Sequence, residues 1–181
     1  MARRHIALLR GINVGRAKRI AMADLRAVVA GLGYLDVRTL LNSGNVVFTV
    51  PGTARGDPSA RIEHAIAAHL GVSSKVTVLT GAELDTIVAD NPLADLATNP
   101  SRLLLTVLTN PADRTRLTPL IQQDWSPEAL ALGARVAYVW CPTGMIESRL
   151  AQAVGRIVRD GGTTRNWATM TKLKALASDR G

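Results

Sequence analysis

The chain is poor in cysteine and aromatic residues and has no long apolar run. A single cysteine, Cys141, excludes an intramolecular disulfide framework and favours the cytoplasm. Aromatics make up only 3% of 181 residues, so aliphatic side chains and alanine must fill any core. The apolar run after the basic start M-A-R-R-H is far too short for a signal sequence or a membrane span. That leaves a cytoplasmic protein with no membrane partner as the expectation. No H-x-x-x-H or D-x-D pattern accompanies the lone cysteine, and His64 and His69 do not share a helix face, so neither a metal nor another cofactor is expected. Nor does any Ser-His-Asp order or acid-base pair stand out.

Acids are also missing from both chain ends. Residues 1–20 carry Arg3, Arg4, Arg10, Arg16, Lys18 and Arg19 with no acid. Residues 149–181 hold Arg149, Arg156, Arg159, Arg165, Lys172, Lys174 and Arg180 against only Asp160 and Asp179. The net charge of +8 therefore comes from the ends, since the middle has more acids than cations. Two basic ends that meet in space would attract an anion; two that do not would merely aid solubility.

With 47% hydrophobic residues, the chain has enough apolar material for a core. His5–Arg10 reads as a buried strand, and Met22, Leu25, Val28, Val29 and Leu32 recur at helical spacing up to Gly33. Val37–Leu41 and Val46–Val50 flank N-S-G-N, a hairpin turn. Asp57-Pro58 opens a helix with a stripe of Ile62, Ala65, Ile66 and Leu70, and Gly71 ends it. Lys75–Leu79 is a strand, and Thr80-x-x-Glu83 is a capping box for a further helix.

This β-α-β-β-α-β order then begins again. Arg102–Leu108 is a strand, and Asn110-Pro111-x-Asp113 caps a helix with Leu117, Leu120 and Ile121. Ala129–Leu132 and Arg135–Cys141 form a hairpin, Leu150–Val158 a helix, and Trp167–Leu176 the last helix. The expected fold is α+β: two ferredoxin-like (βαββαβ-type) subdomains, residues 1–92 and 93–181, related by a diverged internal repeat. The second copy shows no clear final strand. First strands apolar on both faces predict a sheet covered on both sides, by the other subdomain or by a partner chain.

In such a unit the end of the first strand shares a sheet edge with the turn between the next two. Arg10, Gly11, Asn13, Gly15 and Lys18 should then lie beside Asn42, Ser43, Gly44 and Asn45, a rim of amides, backbone N–H groups and cations suited to an anion. The loop has neither Walker A nor G-x-G-x-x-G spacing. Arg165, Asn166, Trp167 and Thr169 are expected near the first turn of the last helix, where N–H groups favour anions, and would join the same rim. A tight turn and a capped amphipathic helix also explain each motif taken alone.

Several of these segments together resemble the domain of unknown function 1697 family: L-L-R-G-I-N-V-G from Leu8, then Lys18, Met22 and Leu25 at K-x-x-x-M-x-x-L spacing, S-G-N-V-V-F from Ser43, N-P-L from Asn91, and T-R-N-W-x-T-x-x-K-L from Thr164. Arg16 stands where the family has a further glycine. The resemblance, which spans nearly the whole chain, implies two similar α+β subdomains and brings no activity, substrate or cofactor. Three functions follow from the sequence. The first is a binding module for a phosphate-bearing ligand, nucleic acid foremost. The second is an enzyme acting on a small anionic or nucleotide-like substrate in a cleft between the subdomains. The third is a scaffold completed by a partner chain.

Overall fold

Local chemistry sets most element boundaries in the computed structural model, which describes residues 2–179. Arg180, part of the basic C-terminal run, lies outside them. Strand β1 (Arg3–Leu9) leads through a long loop to helix α1 (Met22–Gly31) and the hairpin β2 (Leu35–Leu40) and β3 (Asn45–Val50). Helix α2 (Pro58–Leu70) follows, begun by the Asp57 carboxylate, which accepts from the N–H groups of Ser59 and Ala60, and ended by Gly71 in a left-handed conformation. Strand β4 (Val76–Thr80) runs into α3 (Gly81–Ala89) through the expected capping box: the Thr80 N–H donates to Glu83 Oε2 at 2.8 Å, and the Glu83 N–H donates to Thr80 Oγ1 at 3.1 Å.

The second series is β5 (Leu103–Leu108), α4 (Arg114–Ile121), β6 (Ala129–Leu132), β7 (Val136–Trp140), α5 (Arg149–Val158), β8 (Gly162–Asn166) and α6 (Trp167–Ser178). Asn110 caps a short 3-10 turn ahead of α4, and Ser148 caps α5. Leu117 and Leu120 of α4 are buried, while Ile121 sits at its final residue and is 49% exposed.

The strands form two four-stranded antiparallel sheets, ordered β2-β3-β1-β4 and β6-β7-β5-β8. The sequence shows no final strand in the second series, yet β8 is there, paired with β5 from Leu104↔Asn166 to Leu108↔Gly162. Its residues, G-T-T-R-N, lack an apolar alternation because an edge strand can be held by its backbone ladder alone. The sheets show that the chain is an α+β protein.

Contacts gather residues 2–84 and 173–179 into one compact unit and residues 85–172 into another, so the division passes within α3 and within α6. In the first unit Ala7, Leu9, Val46 and Phe48 pack beneath Leu25 and Val29 of α1 and Ile62 and Ile66 of α2. In the second, Leu104, Leu108, Ala137 and Val139 pack beneath Leu117 of α4 and Leu150, Val154 and Val158 of α5. Each buried Val, Leu, Ile or Phe among these contributes about 1.5–3 kcal/mol, and each alanine less. The opposite sheet faces are buried too: Ile6, Leu8 and Val47 in one unit, Leu103, Leu105 and Val107 in the other.

Candidate functional site

Because β1 is antiparallel to β3 and β3 to β2, strands β1 and β2 point the same way, and the end of β1 emerges beside the β2–β3 turn. Both backbone groups of Arg10 are tied to the segment that leads into β4: its N–H donates to the Lys75 carbonyl at 2.9 Å, and its own carbonyl accepts from Ser74 Oγ at 2.8 Å. Beyond it the chain rises as a small finger on two buried feet, Ile12 and Ile20. Val14 and Ala17 form a β-bridge across it.

Asn13 locks the finger. Its backbone N–H donates to the Lys18 carbonyl at 3.0 Å, and its Oδ1 accepts from the Ile20 N–H at 2.8 Å. Its Nδ2 donates to the carbonyls of Ile20 at 2.9 Å and Asn42 at 2.7 Å. This last bond joins the finger to the hairpin turn. A second link runs from the Leu9 N–H to the Gly44 carbonyl at 2.9 Å. The structure therefore brings together the loop and turn residues that the topology places on one rim.

Their roles divide, however. Asn45 is fully buried, and its Nδ2 donates to the Leu40 carbonyl and to Ser43 Oγ, each at 2.9 Å. Gly44 has φ +84, and a Cβ there would lie 2.7 Å from Leu9 Cβ and 2.9 Å from Ile12 Cδ1. Asn13, Gly44 and Asn45 thus shape the rim. Gly11, Gly15, Lys18, Asn42 and Ser43 are exposed on it, and Arg10 is half-buried.

The electrostatics of the finger are one-sided. Arg16, Lys18 and Arg19 are exposed, and among the described residues their side chains form no ion pair. Val14 at the tip is 72% exposed. Directly after the finger, α1 begins behind Ala21, which offers no side-chain cap. Its first-turn N–H groups therefore lack the acceptor that Asp57 gives α2 and Ser148 gives α5, although Asp24 lies in that turn. Arg16 and Arg19, which lie in the span expected on the rim but were not singled out as ligand residues, belong to it by position. The missing cap was legible, since no Ser, Thr, Asp or Asn stands before Met22.

The third segment belongs to the second unit. Arg165 and Asn166 lie just ahead of the last helix, near its first turn as expected, and they also end β8, because pairing with β5 extends that far. Asn166 Oδ1 accepts from the Thr169 N–H at 2.9 Å and so caps α6. Trp167 opens that helix half-buried, and Thr169 is buried. Arg165 donates to the Thr164 carbonyl at 2.9 Å; burial lowers its guanidinium to about 10, which leaves it a cation at neutral pH.

Elsewhere in the second unit, burial raises the Cys141 thiol above its ordinary value, and the Ser148 hydroxyl beside it only partly offsets this, so the thiol is a poor nucleophile. Ser148 itself donates to the Glu128 carboxylate, which also accepts from the Leu150 N–H at 3.3 Å. Those groups serve the start of α5. Among the described residues no helix is long and apolar enough to cross a membrane, and no three His, Cys, Asp or Glu side chains cluster as metal ligands.

Two antiparallel sheets carrying helices, with a basic finger on one rim, define an α+β protein whose fold by itself names no chemistry. The chain belongs to the family described as protein of unknown function (DUF1697), whose model matches residues 2–138. The T-R-N-W segment lies beyond that match. In structure the chain is similar to the conserved bacterial protein SP0830 from Streptococcus pneumoniae, with a TM-score of 0.80 and 20% identity over 98% of this chain and 100% of that one. At this identity the likeness shows the fold alone. No curated protein matches the chain in sequence.

Proposed function

We propose that the rim of the first unit binds a phosphate-bearing partner, with nucleic acid the partner its shape suits best. The observation that carries this is the finger: three exposed cations that form no ion pair among the described residues, presented on a hairpin that Asn13 braces. Pre-ordered cations lose little entropy on meeting a phosphate, and the exposed Val14 between them offers apolar contact to a sugar or base. Arg10, Gly11, Gly15, Lys18, Asn42 and Ser43 face the ligand in this reading, while Asn13, Gly44 and Asn45 position them. Arg165, Asn166, Trp167 and Thr169 are a separate candidate contact carried by the second unit. We also read the two matching strand orders as ferredoxin-like subdomains, residues 1–92 and 93–181, related by a diverged repeat.

Phosphate contacts release counterions, so affinity must fall with salt. Fluorescence anisotropy on labelled 20-mer RNA and DNA, at two salt concentrations, tests the proposal. Binding that tightens below ~100 μM at low salt supports it. Affinity that ignores salt, or none in that range, removes it. The uncapped start of α1 favours a second reading, an enzyme for a small anionic or nucleotide-like substrate. That reading predicts that a nucleoside phosphate raises the melting temperature by mass action while the oligonucleotides show no salt-dependent binding.

A further inference from the structure

A cavity of about 300 Å³ lies within the second unit, between its sheet and α5. Its floor is Leu104 and Thr106 of β5, Val139 of β7 and Thr164 of β8. Gly155 of α5 lines it, and a Cβ built on that residue would meet no atom within 4 Å. At its mouth stand Met145 and Ile146, which are 56% and 88% exposed. So large an exposed apolar residue beside an apolar hollow is unusual, since water gains nothing from either.

Two polar features interrupt the apolar lining: Gln152, whose Nε2 donates to the Ile146 carbonyl at 3.2 Å, and a pair of threonines. The hydroxyls of Thr106 and Thr164 lie 2.8 Å apart, and Thr106 is only 5% exposed. Two hydroxyls carry two hydrogens, and their mutual bond uses one of them. Among the described residues neither hydroxyl has another side-chain partner, so the pair offers one hydrogen to the cavity, from the buried Thr106 or the half-buried Thr164. A ligand oxygen placed there would accept that hydrogen in a direct bond. No cation lines the space, so an acceptor that carries a full negative charge would be buried unpaired.

We infer that this cavity binds a small, neutral, mainly aliphatic molecule with one hydrogen-bond-acceptor oxygen, such as a ketone, ester or aldehyde. The volume sets the size: it is roughly twice the ~150 Å³ that takes benzene, which suggests about ten heavy atoms. The acceptor oxygen meets the Thr106–Thr164 pair, the chain lies along Leu104 and Val139, and Met145 is covered at the mouth. This site is independent of the basic rim.

The test uses the full chain and 2-octanone, followed by the methyl resonances of Met145 and Ile146. Saturable shifts of both are expected. The variant Thr106→Val/Thr164→Val removes the donor while keeping shape, and because the two hydroxyls bond each other, losing both leaves no orphaned group. It should bind 2-octanone about three- to tenfold more weakly, the range of one neutral hydrogen bond. Sodium octanoate should bind several-fold more weakly than the ketone, and Gly155→Leu should abolish the shifts. Unmoved methyls in the wild-type chain, a double variant that binds the ketone as tightly as wild type, or octanoate binding as well as 2-octanone would each overturn the assignment.

Discussion

The two units share a strand order and differ in what they build at its ends and in its interior. In the first, twelve residues from Arg10 to Ala21 separate β1 from α1, with a finger that carries three exposed cations. In the second, only Thr109 and Asn110 separate β5 from the turn that begins at Pro111, and the Asn110 side chain accepts from the Ala112 N–H at 3.0 Å. The interior differs the other way. Opposite His5, β3 places Phe48, stacked on Tyr34 at 4.9 Å between centroids; at the matching register opposite Leu104, β7 places Val139. Ala7 pairs with Val78 across β1 and β4, where Thr106 pairs with Thr164. One scaffold thus closes its core and extends a loop, while the other trims the loop and keeps a hollow.

The largest expected effect separates the two hairpin turns. In Gly44→Ala the new Cβ meets Leu9 Cβ, an atom fixed to the backbone of a fully buried residue, at a φ that L side chains avoid. We expect a loss of about 2–4 kcal/mol by urea denaturation. In Gly133→Ala the nearest atom is a methyl of Val136, also at 2.7 Å, but φ lies outside the left-handed region, so the steric cost comes without backbone strain. A loss of about 1 kcal/mol is expected there. Equal losses would show that the close approach at Gly44 is not what fixes the rim.

Next comes the contrast between the two loops. Asn13→Ala removes three side-chain hydrogen bonds and leaves the Ile20 N–H without its acceptor. It should cost about 1–3 kcal/mol and speed amide exchange at Ile20. Asn110→Ala loses a single cap and should cost about 1 kcal/mol. If Asn13→Ala costs no more than Asn110→Ala, the finger is not a braced structure.

These residues also mark what the sequence reveals. Caps are short-range and were legible: Asp57, the Thr80–Glu83 box and Asn110 stand where they act. So was the shared edge of the N-terminal loop and the N-S-G-N turn, which follows from strand direction alone. The clamp by Asn13 was not, because its partners Ile20 and Asn42 are seven and 29 residues away and no periodicity encodes them. Asn45 read as a ligand amide but is buried in the service of its own turn. Strand β8 escaped because an edge held by backbone bonds needs no apolar pattern. The cavity escaped because it arises from Val139 and Gly155 facing one another across the core, a matter of missing volume.

That missing volume can be supplied. Val139→Phe gives β7 the side chain that β3 carries at Phe48, and the ring has about 300 Å³ beside it. We expect the variant to be about 0.5–1 kcal/mol more stable, as cavity-filling changes commonly are, and to lose 2-octanone binding. A marked destabilisation would mean that the hollow does not lie along the Val139 side chain.

The smallest effect on stability should accompany a large effect on binding. Arg16→Ala/Lys18→Ala/Arg19→Ala removes three exposed cations that form no ion pair among the described residues, so stability should hold within about 0.5 kcal/mol. If each meets a phosphate, the slope of log affinity against log salt should flatten by about 2 to 3. Arg149→Ala/Arg156→Ala also removes exposed cations, but from α5 of the second unit. In this reading the finger, not α5, meets the phosphates, so this pair should leave the slope nearly unchanged. If both variants flatten it in proportion to the charge removed, attraction to nucleic acid is a property of the whole basic surface. If only the first does, the attraction belongs to the finger, and the difference between the two loops is a difference in function.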